Sequence, residues 1–383
     1  MTPDLVLGAA LAVASAALIA IPAFRRHAFT NFLVDNDILF LSGAALALVW
    51  ANVADATYEQ AAPPLRRAIN DIAMTIFFAV ATKEIRKALA PGGTLGSPRQ
   101  AALPIAATLG GMLGPALVFL VVAWRLGRPE LNPGWAIPCA TDVAFAYLAA
   151  RLVFGAKHPA IPFLLLLSIA DDAGGLLILA VFYPHGPLAL WPWSLVLGAV
   201  VLTLALRWLG VRRWWLYLGS AGALSWFGLD RAGLHPALAL VPVVAFMPPG
   251  EPLEDMERAL AAPVACVLGA FALVNAGVPV GHVGAASLCV LLGLLVGKPL
   301  GIGLGTFLAT RAGLRLPDGM RAREVLVLGV AAAIGFTVAL FVATVAFKPG
   351  DAALDAAKMG ALGSVVAAPL AWVLGKALRV SGT

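Results

Sequence analysis

Four ionisable residues, Asp142, Asp171, Asp172 and Lys298, stand inside long runs of apolar residues. A charge at the centre of a bilayer costs at least about 2.5 to 3.5 kcal/mol, so such residues are rare unless they serve a pathway. Asp171 and Asp172 are adjacent, in Leu-Ser-Ile-Ala-Asp-Asp-Ala-Gly-Gly-Leu. Neighbouring carboxylates disfavour each other's ionisation and both must be desolvated, which makes the pair a poor structural device. The same property suits a group that trades a proton for a hard cation, because a carboxylate takes either through oxygen. Successive helix positions point about 100° apart, so one acid can face a cation while the other faces Lys298. The competing interpretation is a buried ion-pair network that only holds helices together.

Lys298 lies in Gly-Leu-Leu-Val-Gly-Lys-Pro-Leu-Gly-Ile-Gly-Leu-Gly, where Gly293, Gly297, Gly301 and Gly305 recur every fourth residue. A ridge of small residues lets another backbone approach closely. Packing explains the glycines but not the lysine, which needs an acidic partner or must lose its charge. Asp142 follows Pro138 and Thr141 in Trp-Ala-Ile-Pro-Cys-Ala-Thr-Asp-Val-Ala-Phe-Ala, and a second weakened stretch is Ala-Ala-Ile-Gly-Phe-Thr at 332–337. Broken helices at membrane depth are tolerated where they line a cavity, and their ends carry partial charges. Paired interruptions of this kind point to a transporter site.

The elements that must position these residues follow from composition. Hydrophobic residues make up 61% of the 383 and charged residues 12%, with a mean hydropathy of +0.93. A soluble domain has about a quarter of its residues charged, so a soluble fold is excluded. The +6 net charge comes from scattered Lys and Arg without a basic, aromatic-interleaved stripe, which argues against nucleic-acid binding. A helix needs about 20 apolar residues to cross a bilayer. Such runs fall near 4–23, 36–54, 68–89, 102–124, 134–150, 160–182, 188–207, 213–229, 232–248, 259–275, 284–310, 322–346 and 356–378, about 13 in all. The first lacks the positive flank of a secretory signal and reads as a retained membrane helix. The longest polar connection, roughly 249–258, is too short to fold alone.

An odd number of crossings puts the termini on opposite sides. The larger group of basic residues, Arg25, Arg26, Lys83, Arg86, Lys87, Arg99, Arg151, Lys157, Arg207, Arg212, Arg213, Arg258, Arg311, Arg315, Arg321, Arg323, Lys376 and Arg379, then falls on one face. The smaller group, Arg66, Arg67, Arg125, Arg128, Arg231, Lys348 and Lys358, falls on the other. The positive-inside rule places the N-terminus outside and the C-terminus inside. Cys139, Cys266 and Cys289, all in apolar stretches, give neither a disulfide framework nor a metal site and read as packing residues.

Several stretches occur in consistent order from about Asn70 to Lys376: Asn-Asp-Ile-Ala-Met-Thr-Ile-Phe-Phe at 70–78, Arg-Gln-Ala-Ala-Leu-Pro at 99–104, Gly-Trp-Ala-Ile-Pro at 134–138 and Ala-Thr-Asp-Val-Ala-Phe-Ala at 140–146. The Asp-Asp motif, Gly-Leu-His at 233–235, Asn-Ala-Gly-Val at 275–278, Gly-Lys-Pro-Leu-Gly-Ile at 297–302 and Ile-Gly-Phe-Thr at 334–337 follow. With these the chain closely resembles the NhaA family of sodium/proton antiporters. That family is itself a known case of inverted repeats built with discontinuous helices. The resemblance therefore implies an all-α polytopic membrane bundle with inverted repeats and two discontinuous crossing helices.

It further implies an electrogenic antiporter that exchanges two protons for one sodium or lithium ion and needs no cofactor. The implied ion-binding and proton-coupling set is Asp171, Asp172, Asp142, Thr141 and Lys298. Asp172 matches the cation-binding acid, with Asp171 beside it in the Na+ or Li+ site, and Asp171 and Lys298 match a salt bridge that responds to protonation. Asp142 matches an acid that offsets positive half-helix ends. Glu84 and His235 match positions linked to pH regulation, and here Lys83 precedes the glutamate and Pro236 follows the histidine. A cation beside Glu84 favours its ionised form; the alternative is that Lys83 snorkels to the headgroups as an anchor.

Residues 1–34 are expected to form an extra N-terminal helix and inner loop, and 35–383 the antiporter domain. Sodium ions, protons and membrane lipids are the expected partners, and the chain is compatible with a homodimer. A sodium-coupled organic-anion symporter of related crossed-helix fold is the alternative transporter reading, against which the Asp pair and membrane lysine argue. An intramembrane aspartyl protease would show Gly-x-Gly-Asp, absent around Asp142 and Asp171, so no enzyme is expected.

Overall fold

The computed structural model describes residues 38–184, 186 and 190–380, and among them every regular element is helical. This is an all-α membrane protein. Among the described residues, five helices are long and apolar enough to cross a membrane: Ala101–Arg125, Ala160–Phe182, Glu251–Asn275, Ala285–Arg311 and Ala352–Ala377. The pair Pro129–Cys139 and Val143–Phe154, bent by 59° at its break, makes a sixth if it is one span. The other expected crossings are shorter or interrupted, and the first, 4–23, lies outside the described residues, as does the rest of the expected 1–34 segment.

The chain divides into two compact units, and the first comprises residues up to Arg86 together with Ile178–Pro279. Its helix Ile38–Val53 lies against Glu251–Asn275 so closely that a Cβ on Gly43 would stand 2.3 Å from the Gly269 carbonyl oxygen. The stretch between the second and third expected crossings is itself helical, Asp55–Arg67, and runs through a π-helical turn, Ala68–Ala73, into Met74–Leu89. It serves the neighbouring helix, whose last carbonyls have no intrahelical donor. Tyr58 donates to the Leu273 carbonyl at 3.0 Å and the Arg66 Nε to the Val274 carbonyl at 2.9 Å.

Two expectations in this unit are corrected. Most of 249–258 is not a connection but the start of Glu251–Asn275: Gly250, at φ 87°, ends the preceding turn, and Pro252 with Glu251 and Glu254 opens the helix. Proline is pre-shaped for a first helical turn, where acids also meet the positive end of the macrodipole. The expected crossing at 232–248 is helical only over the shorter apolar stretch Pro236–Phe246, a 3-10 turn Pro236–Leu238 leading into Leu240–Phe246. The preceding helix, Ala223–Ala232, stops at Gly233 in a left-handed conformation, and His235 is extended before Pro236.

The second unit comprises Lys87–Leu177 and the chain from Val280 onward. Its axis is the contact between Pro98–Arg125 and the helical run Ala285–Leu292, Gly293–Gly297 and Lys298–Arg311. The fourth-residue glycines make that contact: a Cβ on Gly301 would sit 2.0 Å from the Gly110 carbonyl oxygen, and one on Gly305 2.3 Å from that of Ala106. The middle piece, Gly293–Gly297, is a π-helical turn. Pro299 follows it, and a proline inside a helix both lacks its N–H and crowds the carbonyl four residues back; the wider turn relieves that crowding just where Lys298 projects. Lys358, grouped above with the outer basic residues, is instead buried within Ala352–Gly363.

Candidate ion site

Lys298 is 0% exposed, and its ammonium donates to Asp171 Oδ2 at 3.0 Å. Its second acceptor is the carbonyl of Cys139, the last residue of the 3-10 helix Pro129–Cys139. A C-terminal carbonyl has no intrahelical donor and lies at the negative end of its helix, so the lysine meets both a carboxylate and a helix terminus. Asp171 is buried with it, in the middle of Ala160–Phe182. Asp172, one position on, is half-buried and has no hydrogen-bonded or ion-paired partner among the described residues. The adjacent acids are thus unequal.

The two weakened stretches meet. Ala140 and Asp142 are extended, separating Pro129–Cys139 from Val143–Phe154, and residues 332–336 separate Ala322–Ala331 from Thr337–Ala346. The Asp142 N–H donates to the Ile334 carbonyl at 2.8 Å. The Asp142 carboxylate in turn accepts from the Thr337 N–H at 3.2 Å and from the Thr337 hydroxyl. Asp142 therefore stands at the N-terminus of its own half-helix while bonding the first residue of another, where negative charge is favoured. Thr141 beside it is buried, and its hydroxyl has no hydrogen-bond partner among the described residues.

The residues matched to pH regulation belong to the first unit. Lys83 is 3% exposed and so does not snorkel; its ammonium donates to Glu84 at 2.8 Å and to Glu257 of Glu251–Asn275. His235 is buried, its Nδ1 accepting from the Ala237 N–H at 3.2 Å and its Nε2 lying 3.8 Å from Asp71 Oδ1. An accepting Nδ1 places the proton of the neutral ring on Nε2, facing Asp71. Asn70, next to Asp71, exchanges hydrogen bonds with Asn275 at 2.9 and 3.3 Å.

Glu257, Asp71 and Thr337 were not singled out as partners from the sequence. Thr337 had a signal, since it opens a half-helix after Gly335. Glu257 was hidden by reading 249–258 as a loop, and nothing local marks Asp71 as the neighbour of His235.

The Na+/H+ antiporter 1 family model matches residues 28–374. This chain belongs to the Na+/H+ antiporter 1 family. It is 43% identical to the Na(+)/H(+) antiporter NhaA of Jannaschia sp. (strain CCS1), over 91% of this chain and 98% of the relative. It is 46% identical to the Na(+)/H(+) antiporter NhaA of Desulfitobacterium hafniense (strain DSM 10664 / DCB-2), over 91% and 96%. Identity to the Na(+)/H(+) antiporter NhaA 2 of Pelobacter propionicus is 44%, over 93% and 99%. The family assignment leaves the organic-anion symporter alternative without support.

Within this family member the Asp171–Lys298 contact carries a stability prediction. Removing one partner of a buried ion pair leaves the other uncompensated, at a cost of about 3 to 5 kcal/mol. Lys298→Ala is expected to melt well below the parent in detergent, and Lys298→Ala with Asp171→Asn to recover part of the loss. Equal melting of parent and Lys298→Ala contradicts a ground-state pair.

Proposed function

We propose that the chain exports Na+ or Li+ in exchange for protons, electrogenically, with cation and protons competing for the Asp171 and Asp172 carboxylates. The observation that carries this reading is the asymmetry of the pair: Asp171 is held by Lys298 at 3.0 Å, while Asp172 has no such partner among the described residues. An ionised Asp172 offers a hard cation its oxygens, and protonation of the same oxygens releases it. A proton on Asp171 removes the charge that Lys298 pairs with, which ties the second acid to the cycle. Thr141 supplies a neutral oxygen, and Asp142 offsets the positive half-helix ends. Two protons inward for one cation outward move one net charge, which couples about 2.3 kcal/mol per 100 mV of membrane potential to export.

The architecture that serves this is an inner-membrane bundle of about 13 crossings with inverted repeats. The Asp142-to-Ile334 hydrogen bond between two interrupted elements supports a pair of discontinuous helices that cross. The basic-residue distribution supports a periplasmic N-terminus and cytoplasmic C-terminus, with 1–34 an addition to the antiporter domain at 35–383. Lipids surround the bundle, and a homodimer is the proposed assembly. Lys83, Glu84 and His235, with Glu257 and Asp71, form the proposed pH-responsive groups.

Dequenching of a pH dye in everted vesicles of an antiporter-deficient host tests both parts. Asp172→Asn is expected to abolish sodium-driven proton flux with protein retained in the membrane; normal flux removes the pair from the mechanism. Scanned over pH, Lys83→Leu is expected to change the pH profile of the flux, because Glu84 and Glu257 lose the cation they share. An unchanged profile removes Lys83 from the response.

A further inference from the structure

We infer that the Ser168 hydroxyl is a further ligand of the transported cation, one that completes the oxygen shell offered by Asp172. The inference rests on the antiport reading above. Ser168 is 0% exposed, in Ala160–Phe182, and its Oγ has no hydrogen-bond partner among the described residues. A serine in a helix normally spends its hydroxyl on the carbonyl one turn back, as Thr203 and Thr82 do here at 2.8 and 2.7 Å. Ser168 does not. A buried hydroxyl with no partner is disfavoured against alanine, so packing alone gives no reason for the oxygen.

Its position supplies one. Ser168 precedes Asp171 by three residues and Asp172 by four, the spacings that bring side chains together on one helix face. At that spacing the Cβ atoms are about 5–6 Å apart, so a hydroxyl and a carboxylate can close on one ion between them. Lys298 occupies Asp171 but not Asp172. A hard cation stripped of water takes several oxygens, neutral ones as well as carboxylate.

The other partnerless buried hydroxyls sharpen the choice. Thr141, Ser225 and Thr306 share the property. Ser225 and Thr306 have no Asp or Glu within four residues on either side, whereas Thr141 adjoins Asp142. The two orphan hydroxyls that lie close in sequence to the buried acids, Ser168 and Thr141, are those a bound cation can use.

Sodium-dependent proton flux in everted vesicles, read as KM against maximal rate, tests this together with the sodium-induced rise in melting temperature of purified protein. Ser168→Ala is expected to raise KM for Na+ about tenfold, the loss of one contact to a charge, with flux recovered at saturating sodium. Ser168→Cys is expected to do the same, because a thiol nearly matches the serine in size but is a poor ligand for a hard cation. Both variants are expected to show a smaller sodium-induced melting shift, since ligand stabilisation follows affinity. Parental KM in either variant overturns the assignment: retention in Ser168→Ala means the oxygen is unused, and retention in Ser168→Cys alone means that volume matters and oxygen does not. Should Ser168→Ala be lost from the membrane, Ser168→Cys carries the test. A parent protein without sodium-driven flux overturns the antiport reading, and this assignment with it.

Discussion

A lysine with no exposed surface inside an apolar bundle must be given a counter-charge, and the second unit is arranged around that requirement. Lys298 is satisfied by Asp171 and by the Cys139 carbonyl. Each partner depends on a different local feature. Asp171 sits midway along an uninterrupted apolar helix, Ala160–Phe182. The Cys139 carbonyl is available only because the chain leaves its helix at Ala140. Lys298 itself is set by the glycine ridge, which brings its helix against Pro98–Arg125 with backbone touching backbone at Gly110 and Gly301.

This one pairing differentiates two acids that are neighbours in sequence. Lys298 is held by Asp171, and the half-buried Asp172 carries no such contact among the described residues. In the proposed cycle this difference divides the labour: an anchored carboxylate whose protonation is felt by a lysine, and an unanchored one whose oxygens go to the ion. The break at Asp142 adds a second balance of charge, because its carboxylate is tied to the start of Thr337–Ala346 and cannot itself be fully spent on a cation.

The buried acids, Lys298 and the two weakened stretches were legible because charge, proline and glycine in apolar runs violate a strong local rule, and a violation is visible without knowing the fold. Ala160–Phe182 was legible for the opposite reason: nothing interrupts it. What was not legible depends on contacts between segments far apart in the chain. Lys83 could be seen to adjoin Glu84, but its second acceptor, Glu257, comes from a helix whose polar first turns look like a loop. Lys358 was read as a surface charge and is buried, since a single lysine near the end of an apolar run carries no local mark of depth. Likewise the end of the helix at Gly233 shortens a hydrophobic stretch that composition alone would carry across the membrane.

The account's centre is that cation and proton compete for the same carboxylate oxygens. Transport currents of the reconstituted protein on a solid-supported membrane, recorded against sodium concentration over a series of pH values, test it most directly. Ligands that must lose a proton to bind a metal make apparent affinity depend on pH. On the acid side of the profile the KM for sodium is therefore predicted to rise about tenfold for each unit of pH lost where one proton competes, and up to about a hundredfold where both carboxylates are protonated, while the current at saturating sodium holds constant. A KM that stays fixed while the saturating current falls would mean that protons act away from the cation site, and would contradict the account.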